Sequence, residues 1–184
     1  RDYIEILLDR DLKDILRIHR QDAMKSLSKI MAAWSGKLID ISAIGASLTL
    51  SRQTIETYIN ALEALYLVEK VNPWVNTDYE RVKKHPKIYM TDCGLMASIL
   101  GWKIDQVRLD GDRSGKLIET FAFNEIAALI DNHREAYTMY HYRDREKREV
   151  DFLIENQGGD LLGIEVKAGS SLGKNDFKHL EWFR

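Results

Sequence analysis

The sequence has one cysteine, Cys93, in 184 residues. That excludes an internal disulfide and a thiolate-rich metal site, and it suits a reducing, cytoplasmic compartment. The five histidines (19, 85, 133, 141 and 179) fall at no metal-ligand spacing. No apolar run approaches the roughly 18–20 residues that span a bilayer, and the opening residues carry no signal-peptide pattern, so no membrane partner is expected. An excess of one charge is also lacking. At a net −2 no global field draws the chain onto nucleic acid, and any such contact must come from a local patch. No G-x-x-x-x-G-K-[ST] stretch occurs, so no ATP site of that kind is present. Internal repeats and low-complexity tracts are absent.

What is present reads as ordinary globular protein, 45% hydrophobic and 30% charged, enough for one medium domain or two small ones. Residues 2–20 and 22–34 carry apolar residues at helical spacing, and Ser35-Gly36 stops the second run. "KLIDISAIGASL" predicts a short extended piece and a short helix. Ser51 is a suitable N-cap for "RQTIETYINALEALYL", whose Ile55, Tyr58, Ile59, Leu62 and Leu65 form one stripe. "LVEKV" and "KIYMT" then read as two strands. Helix, turn, helix and two-stranded ribbon predict a winged helix-turn-helix over 21–92. Residues 92–104 predict a short helix behind an Asp N-cap, and 93–112 a connector. A long helix over 114–131, capped by Ser114, is followed by strands at 136–142, 149–154 and 161–167 and a helix start at Lys174. The fold class is α/β (α+β).

Nucleic-acid contact would fall to few residues. Arg52, Gln53, Thr54 and Thr57 lie at the start of the predicted recognition helix, opposed by Glu56 and Glu63. Residues 21–92 hold nine Lys/Arg against eight Asp/Glu, so protein docking or domain positioning competes with DNA contact. The best DNA-facing patch is the predicted wing, with Arg81, Lys83, Lys84 and Lys87 around His85; it suits phosphate contacts rather than base readout. In "YRDREKRE" (142–149) Arg143 is the residue best placed to touch DNA, though a solvated turn explains the stretch equally. Trp74, Trp102 and Trp182 read as packing anchors, and Cys93 as buried.

The sharpest stretch is "EVDFLIENQGGDLLGIEVKAG" (149–169). Strand alternation puts Val150, Phe152 and Ile154 on one face and Asp151 on the other; Glu165 and Lys167 share a face opposite Leu162, Ile164 and Val166. A loop centred on Gly158 pairs Asp151 with Glu165, roughly 4.5–5.5 Å apart at Cβ, where like charges repel. Two facing carboxylates need a cation; Lys167 supplies part, and an oxygen-seeking divalent ion such as Mg²⁺ supplies more. Glu119 shares a line with Phe123, Ile126 and Ile130 on the long helix, and Glu125 lies among Phe121, Ala122 and Leu129; periodicity alone does not choose between these acids. The residue types suit metal-assisted phosphodiester hydrolysis. An exposed hairpin with a solvated salt bridge, and Glu119 paired with Lys116, are the plain alternatives.

With the α-β-β-β-α order, Asp151 and Glu165-Val166-Lys167 resemble the PD-(D/E)XK, restriction-endonuclease-like nuclease superfamily. Glu119, four residues after Gly115, is similar to a G-x-x-x-E helix opening found in resolvase-like members. The resemblance implies Asp151 and Glu165 as Mg²⁺ ligands, Lys167 as the catalytic lysine, Glu119 as an auxiliary acid and DNA as the partner. Further, "KIYMTDCGL", "SGKLIETFAFNEI", "REVDFLI" and "GIEVKAG" resemble, over about residues 3–170, the C-terminal region of prokaryotic P-loop (AAA-type) ATPases, catalogued as domain of unknown function 4143. It implies residues 1–20 as a linker helix from an ATPase module absent here, with ATP bound only in that module, which is itself a partner. It also implies residues 113–184 as a partial restriction-endonuclease-like core. The chain opens and closes inside helical patterns, so we expect a piece of a longer protein with its nuclease-like core cut short. Either that core hydrolyses DNA, or it is a non-catalytic region that binds nucleic acid or protein and regulates the ATPase.

Overall fold

A computed structural model describes residues 21–75, 85–169 and 171–184. The helix expected at 2–20 and the wing residues Arg81, Lys83 and Lys84 lie outside these. The order is α1 (Gln21–Ala33), β1 (Lys37–Leu38), α2 (Ile41–Leu48), α3 (Arg52–Ala64), β2 (Val68–Pro73), β3 (Lys87–Met90), α4 (Cys93–Leu100), α5 (Ile104–Leu109), α6 (Gly111–Asp131), β4 (Tyr137–Arg143), β5 (Glu149–Asn156), β6 (Leu161–Ile164), a 3₁₀ turn (Lys174–Phe177) and α7 (Lys178–Phe183). The class is mixed α/β.

Short polar side chains start α2, α3 and α4 by accepting free first-turn N–H groups. Asp40 bonds Ala43 N, Ser51 bonds Thr54 N and Asp92 bonds Leu95 N. The long helix does not start at Ser114. Asp110 accepts from the N–H groups of both Asp112 and Arg113, so α6 begins at Gly111. The connector expected over 93–112 is therefore largely helical, in α4, α5 and the start of α6.

One sheet of six strands runs β1-β3-β2-β4-β5-β6. All neighbours are antiparallel except β2 and β4, which pair in parallel through Asn72–Tyr140 and Pro73–His141. Trp74 N extends this seam with a 2.7 Å bond to His141 O. The sheet therefore continues from the N-terminal part of the chain into the C-terminal part. Helices α1 to α4 bury Met24, Leu27, Met31, Ile44, Ile55, Ile59 and Leu62 against Val68, Ile88 and Met90. Further along, α6 covers one face with Phe123 against Tyr89, Phe152 and Ile154. On the other, Val150, Leu153 and Tyr140 meet Trp74, Leu180 and Phe183.

The hairpin register is the expected one, with Phe152 opposite Ile164 and Ile154 opposite Leu162. The expected faces are not all observed. On its other edge β5 pairs Tyr140 with Leu153 but Tyr142 with Val150, so Asp151 and Phe152 together span His141. This β-bulge inserts one residue and resets the alternation. Phe152 and Ile154 stay on the α6 face, while Val150 crosses to the α7 face beside Leu153. Cys93 is half-buried rather than enclosed.

Candidate functional site

Strand β3 is flanked by β1 and β2, and all four of its residues are buried. Lys87 opens it at 2% exposure. An ammonium so placed needs anions, since desolvating an unpaired charge is costly. Its Nζ lies 2.7 Å from Glu149 Oε1, 3.3 Å from Glu119 Oε1 and 3.6 Å from Asp151 Oδ1. Lys87 is thus not part of a DNA-facing wing but the hub of a carboxylate cluster. Burial opposes its charge, yet the attraction of Glu119, Glu149 and Asp151 outweighs it and holds the pKa above the ordinary lysine value.

Glu119 reaches the cluster from α6. Tyr89, two residues after Lys87 on β3, donates its hydroxyl to Glu119 Oε1 at 2.7 Å and stacks its ring on Phe123 at 4.5 Å. Gly36 covers the carboxylate from the turn after α1; a Cβ there would stand 3.0 Å from Glu119 Oε1. The turn is anchored by Ser35 Oγ, which accepts from Met90 N and shares a 2.7 Å hydrogen bond with Thr120. Burial pushes the Glu119 carboxyl up, as does Asp151, and the pull of Lys87 and Tyr89 offsets this only in part. Burial, followed by the Glu119 charge, holds the Tyr89 hydroxyl protonated well beyond its usual range. Glu119 is not paired with Lys116, which bonds Asp112 at 2.7 Å, and Glu125 is exposed.

Asp151 links two groups. The strand expected over 161–167 ends at Ile164, so Glu165 and Lys167 lie in the extended segment just past it. While Asp151 Oδ1 faces Lys87, Oδ2 accepts the N–H of Val166 at 2.9 Å, tying the bulge to that segment. Glu165 and Lys167 form their own pair, Lys167 Nζ to Glu165 Oε2, at 2.6 Å. Ile164 and Val166 pack on the α6 side, whereas the charges acting on Glu165 include His179 of α7. Burial raises the Glu165 pKa, Lys167 lowers it and Asp151 raises it, for a net rise. Glu165 Oε1 is enclosed and has no hydrogen-bond partner among the described residues. The four expected residues therefore do not share one pocket. Glu119 and Asp151 gather around Lys87, Glu165 and Lys167 pair beside them, and Asp151 joins the groups. Among the described residues no three His, Cys, Asp or Glu side chains converge closely enough to hold a metal ion.

Of the expected nucleic-acid contacts, Arg52 is exposed at the start of α3 and bonds Glu56 at 2.8 Å. Arg143 closes β4, half-buried, 3.7 Å from the second oxygen of Glu149. Sequence reasoning missed Lys87, Glu149 and Tyr89 as site members. Two signals were available: a lysine inside the otherwise apolar strand "KIYM", and the shared parity of Glu149 and Asp151.

The described residues define a mixed α/β protein with a lysine-centred carboxylate cluster in its sheet. Residues 1–106 match the family described as a domain of unknown function (DUF8612), and the chain belongs to that family. Residues 114–184 match a second, described as a domain of unknown function (DUF4143); this is narrower than the span of the resemblance. The chain is also similar to the uncharacterized proteins Mb2031c of Mycobacterium bovis and Rv2008c of Mycobacterium tuberculosis. Each is 31% identical over 173 residues, covering 92% of this chain and 37% of the relative. The chain thus spans well under half the length of these relatives. No solved structure matches it. Among the described residues no helix is long and apolar enough to cross a membrane.

Proposed function

We propose that residues 113–184 form a nuclease-like unit that hydrolyses DNA phosphodiesters with Mg²⁺ held by Asp151 and Glu165. The observation that carries this reading is the orphaned, enclosed Oε1 of Glu165, next to Val166, whose N–H bonds Asp151. An unsatisfied buried carboxylate oxygen is unfavourable unless it gains a proton or a cation. Mg²⁺ commonly uses only one or two carboxylates, with water and substrate phosphate completing its shell, so two acids fit it without a third. When bound, the ion supplies charge stabilisation at the phosphate and acidifies an attacking water. Lys167, exposed beyond Glu165, orients the phosphate or the water, and Glu119 acts at a distance through its hold on Lys87.

The order α1-β1-α2-α3-β2-β3 supports a winged helix over 21–92, with Arg52 on its exposed helix face. The greater length of the relatives leaves room in them for the ATPase module that the resemblance implies, and in this reading ATP binds there. The second reading, a non-catalytic region that binds nucleic acid or protein and regulates the ATPase, is favoured by Lys87, which already neutralises much of the acid cluster.

Plasmid nicking with Mg²⁺ or Mn²⁺ tests the choice. Cleavage by the wild type, lost in Asp151→Asn and Lys167→Ala while the proteins stay folded, supports hydrolysis. DNA binding or ATP hydrolysis by the complete protein without cleavage supports the second reading.

A further inference from the structure

A cavity of about 770 Å³ opens on the rim of the sheet, where the β4–β5 turn and Trp182 of α7 face Leu38, Pro73 and His85. That volume falls in the range of small-ligand sites, roughly 300–1,000 Å³. Tyr142, Arg143, Arg145, Arg148 and Trp182 are among its lining residues, so it combines guanidinium groups with aromatic rings.

The turn that carries the arginines is closed by its own hydrogen bonds. Asp144 N bonds Arg148 O, Asp144 Oδ1 accepts Arg148 N, and Lys147 takes a left-handed φ of 63° to close it. Arg148 gives one N–H to Asp144 Oδ2 and another to Glu146 Oε2. Both acids of the turn are thus occupied by one arginine. They also fix the guanidinium plane, whose carbon lies 3.6 Å from the centroid of the Trp182 ring. Trp182 itself is 45% exposed. Arg145 is exposed and has no ion-pair partner among the described residues. Among the described residues Arg143 makes only a long 3.7 Å contact to Glu149. The cavity therefore offers two arginines with spare donors for a phosphate. Beside them stands a planar guanidinium held by two carboxylates and backed by an indole, a surface on which nucleobases stack.

We propose that this cavity binds a nucleoside phosphate, with its phosphate on Arg143 and Arg145 and its base on the Arg148–Trp182 stack. The ligand is either a free nucleotide or one residue of a single strand, since both carry the same groups. Arg143 also contacts Glu149, a Lys87 partner, so the cavity borders the carboxylate cluster. Binding here needs no metal, and the proposal goes beyond the hydrolytic reading and stands or falls apart from it.

Calorimetric titration of the full chain in EDTA tests it, with three probes: dAMP, inorganic phosphate and a short single-stranded DNA. The expected result is saturable dAMP or strand binding, with inorganic phosphate about tenfold weaker for want of a stacking ring. Arg145→Gln, on an exposed side chain remote from the core, lowers dAMP or strand affinity about tenfold without shifting the melting temperature. Trp182→Leu lowers dAMP or strand affinity about as much while leaving phosphate binding unchanged. A strand that binds more tightly than dAMP assigns the site to nucleic acid; equal or tighter dAMP binding assigns it to a free nucleotide. Failure of both dAMP and the strand to saturate, or indifference of their binding to Arg145→Gln, overturns the proposal. Phosphate binding as tight as dAMP binding, with Trp182→Leu silent, overturns it as well. Plasmid nicking in parallel keeps failure of the hydrolytic reading distinct, because these titrations contain no divalent ion.

Discussion

Lys87 Nζ lies 2.7 Å from Glu149 Oε1, joining a strand in the region matched by one family to a strand in the region matched by the other. Glu119 and Asp151, from the second region as well, complete the ring around the same ammonium. The two regions thus share a buried ion cluster as well as a sheet.

Lys87→Met keeps the aliphatic stem and removes the charge. It leaves Glu119, Glu149 and Asp151 without their common cation. We expect a loss of about 3 kcal/mol in urea denaturation at neutral pH, the usual scale for breaking a buried ion pair from one side. The loss should shrink at pH 5. Without Lys87 the Glu119 pKa climbs further, and an acid whose folded pKa is raised gives stability that is full below its unfolded value and lost as pH rises through the folded one. Equal losses at pH 5 and pH 8 would show that Glu119 does not depend on Lys87.

The same sign applies to the wild type. Burial raises both Glu119 and Glu165, so their contribution to stability declines as pH rises from the ordinary carboxylate range through their raised values. Glu165→Gln cannot titrate, and its thermal stability between pH 4 and pH 8 should fall less steeply than that of the parent. A parallel pair of profiles would remove Glu165 from the account.

Gly36 and Gly101 both have positive φ, 81° and 67°, but their surroundings differ. A methyl at Gly101 meets nothing within 4 Å among the described residues, whereas one at Gly36 presses on the Glu119 carboxylate at 3.0 Å. Gly101→Ala should cost about 1–2 kcal/mol, the backbone term alone. Gly36→Ala should cost more and also weaken the Lys87–Glu119 contact, seen as a lower lysine pKa by NMR titration of the Lys87 side chain.

Gly163 makes room for α7. A Cβ there would come within 2.9 Å of Leu180 Cδ2. Gly163→Val should loosen α7 while leaving α1 to α4 intact. Hydrogen exchange should then speed up across residues 178–183 and stay unchanged in Ile55–Leu62. Uniform acceleration would mean global destabilisation instead.

The β5–β6 hairpin was legible because its information is local. The Gly158-Gly159 loop and the period-two pattern are enough to bring Phe152 opposite Ile164, and the caps at Ser51 and Asp92 follow from the next few residues alone. The bulge at Asp151–Phe152 was not legible, because it arises on the β4 side of the strand, where pairing with Tyr140 and Tyr142 sets the count.

By itself the sequence determined most of the elements, the hairpin register, and that acids stand where a strand would otherwise be apolar. Only the tertiary structure decided which cation answers them. Neutralisation acts through space: parallel pairing of β2 with β4 and packing of α6 on the sheet bring Lys87 to acids 32, 62 and 64 residues away, a distance that no local periodicity encodes.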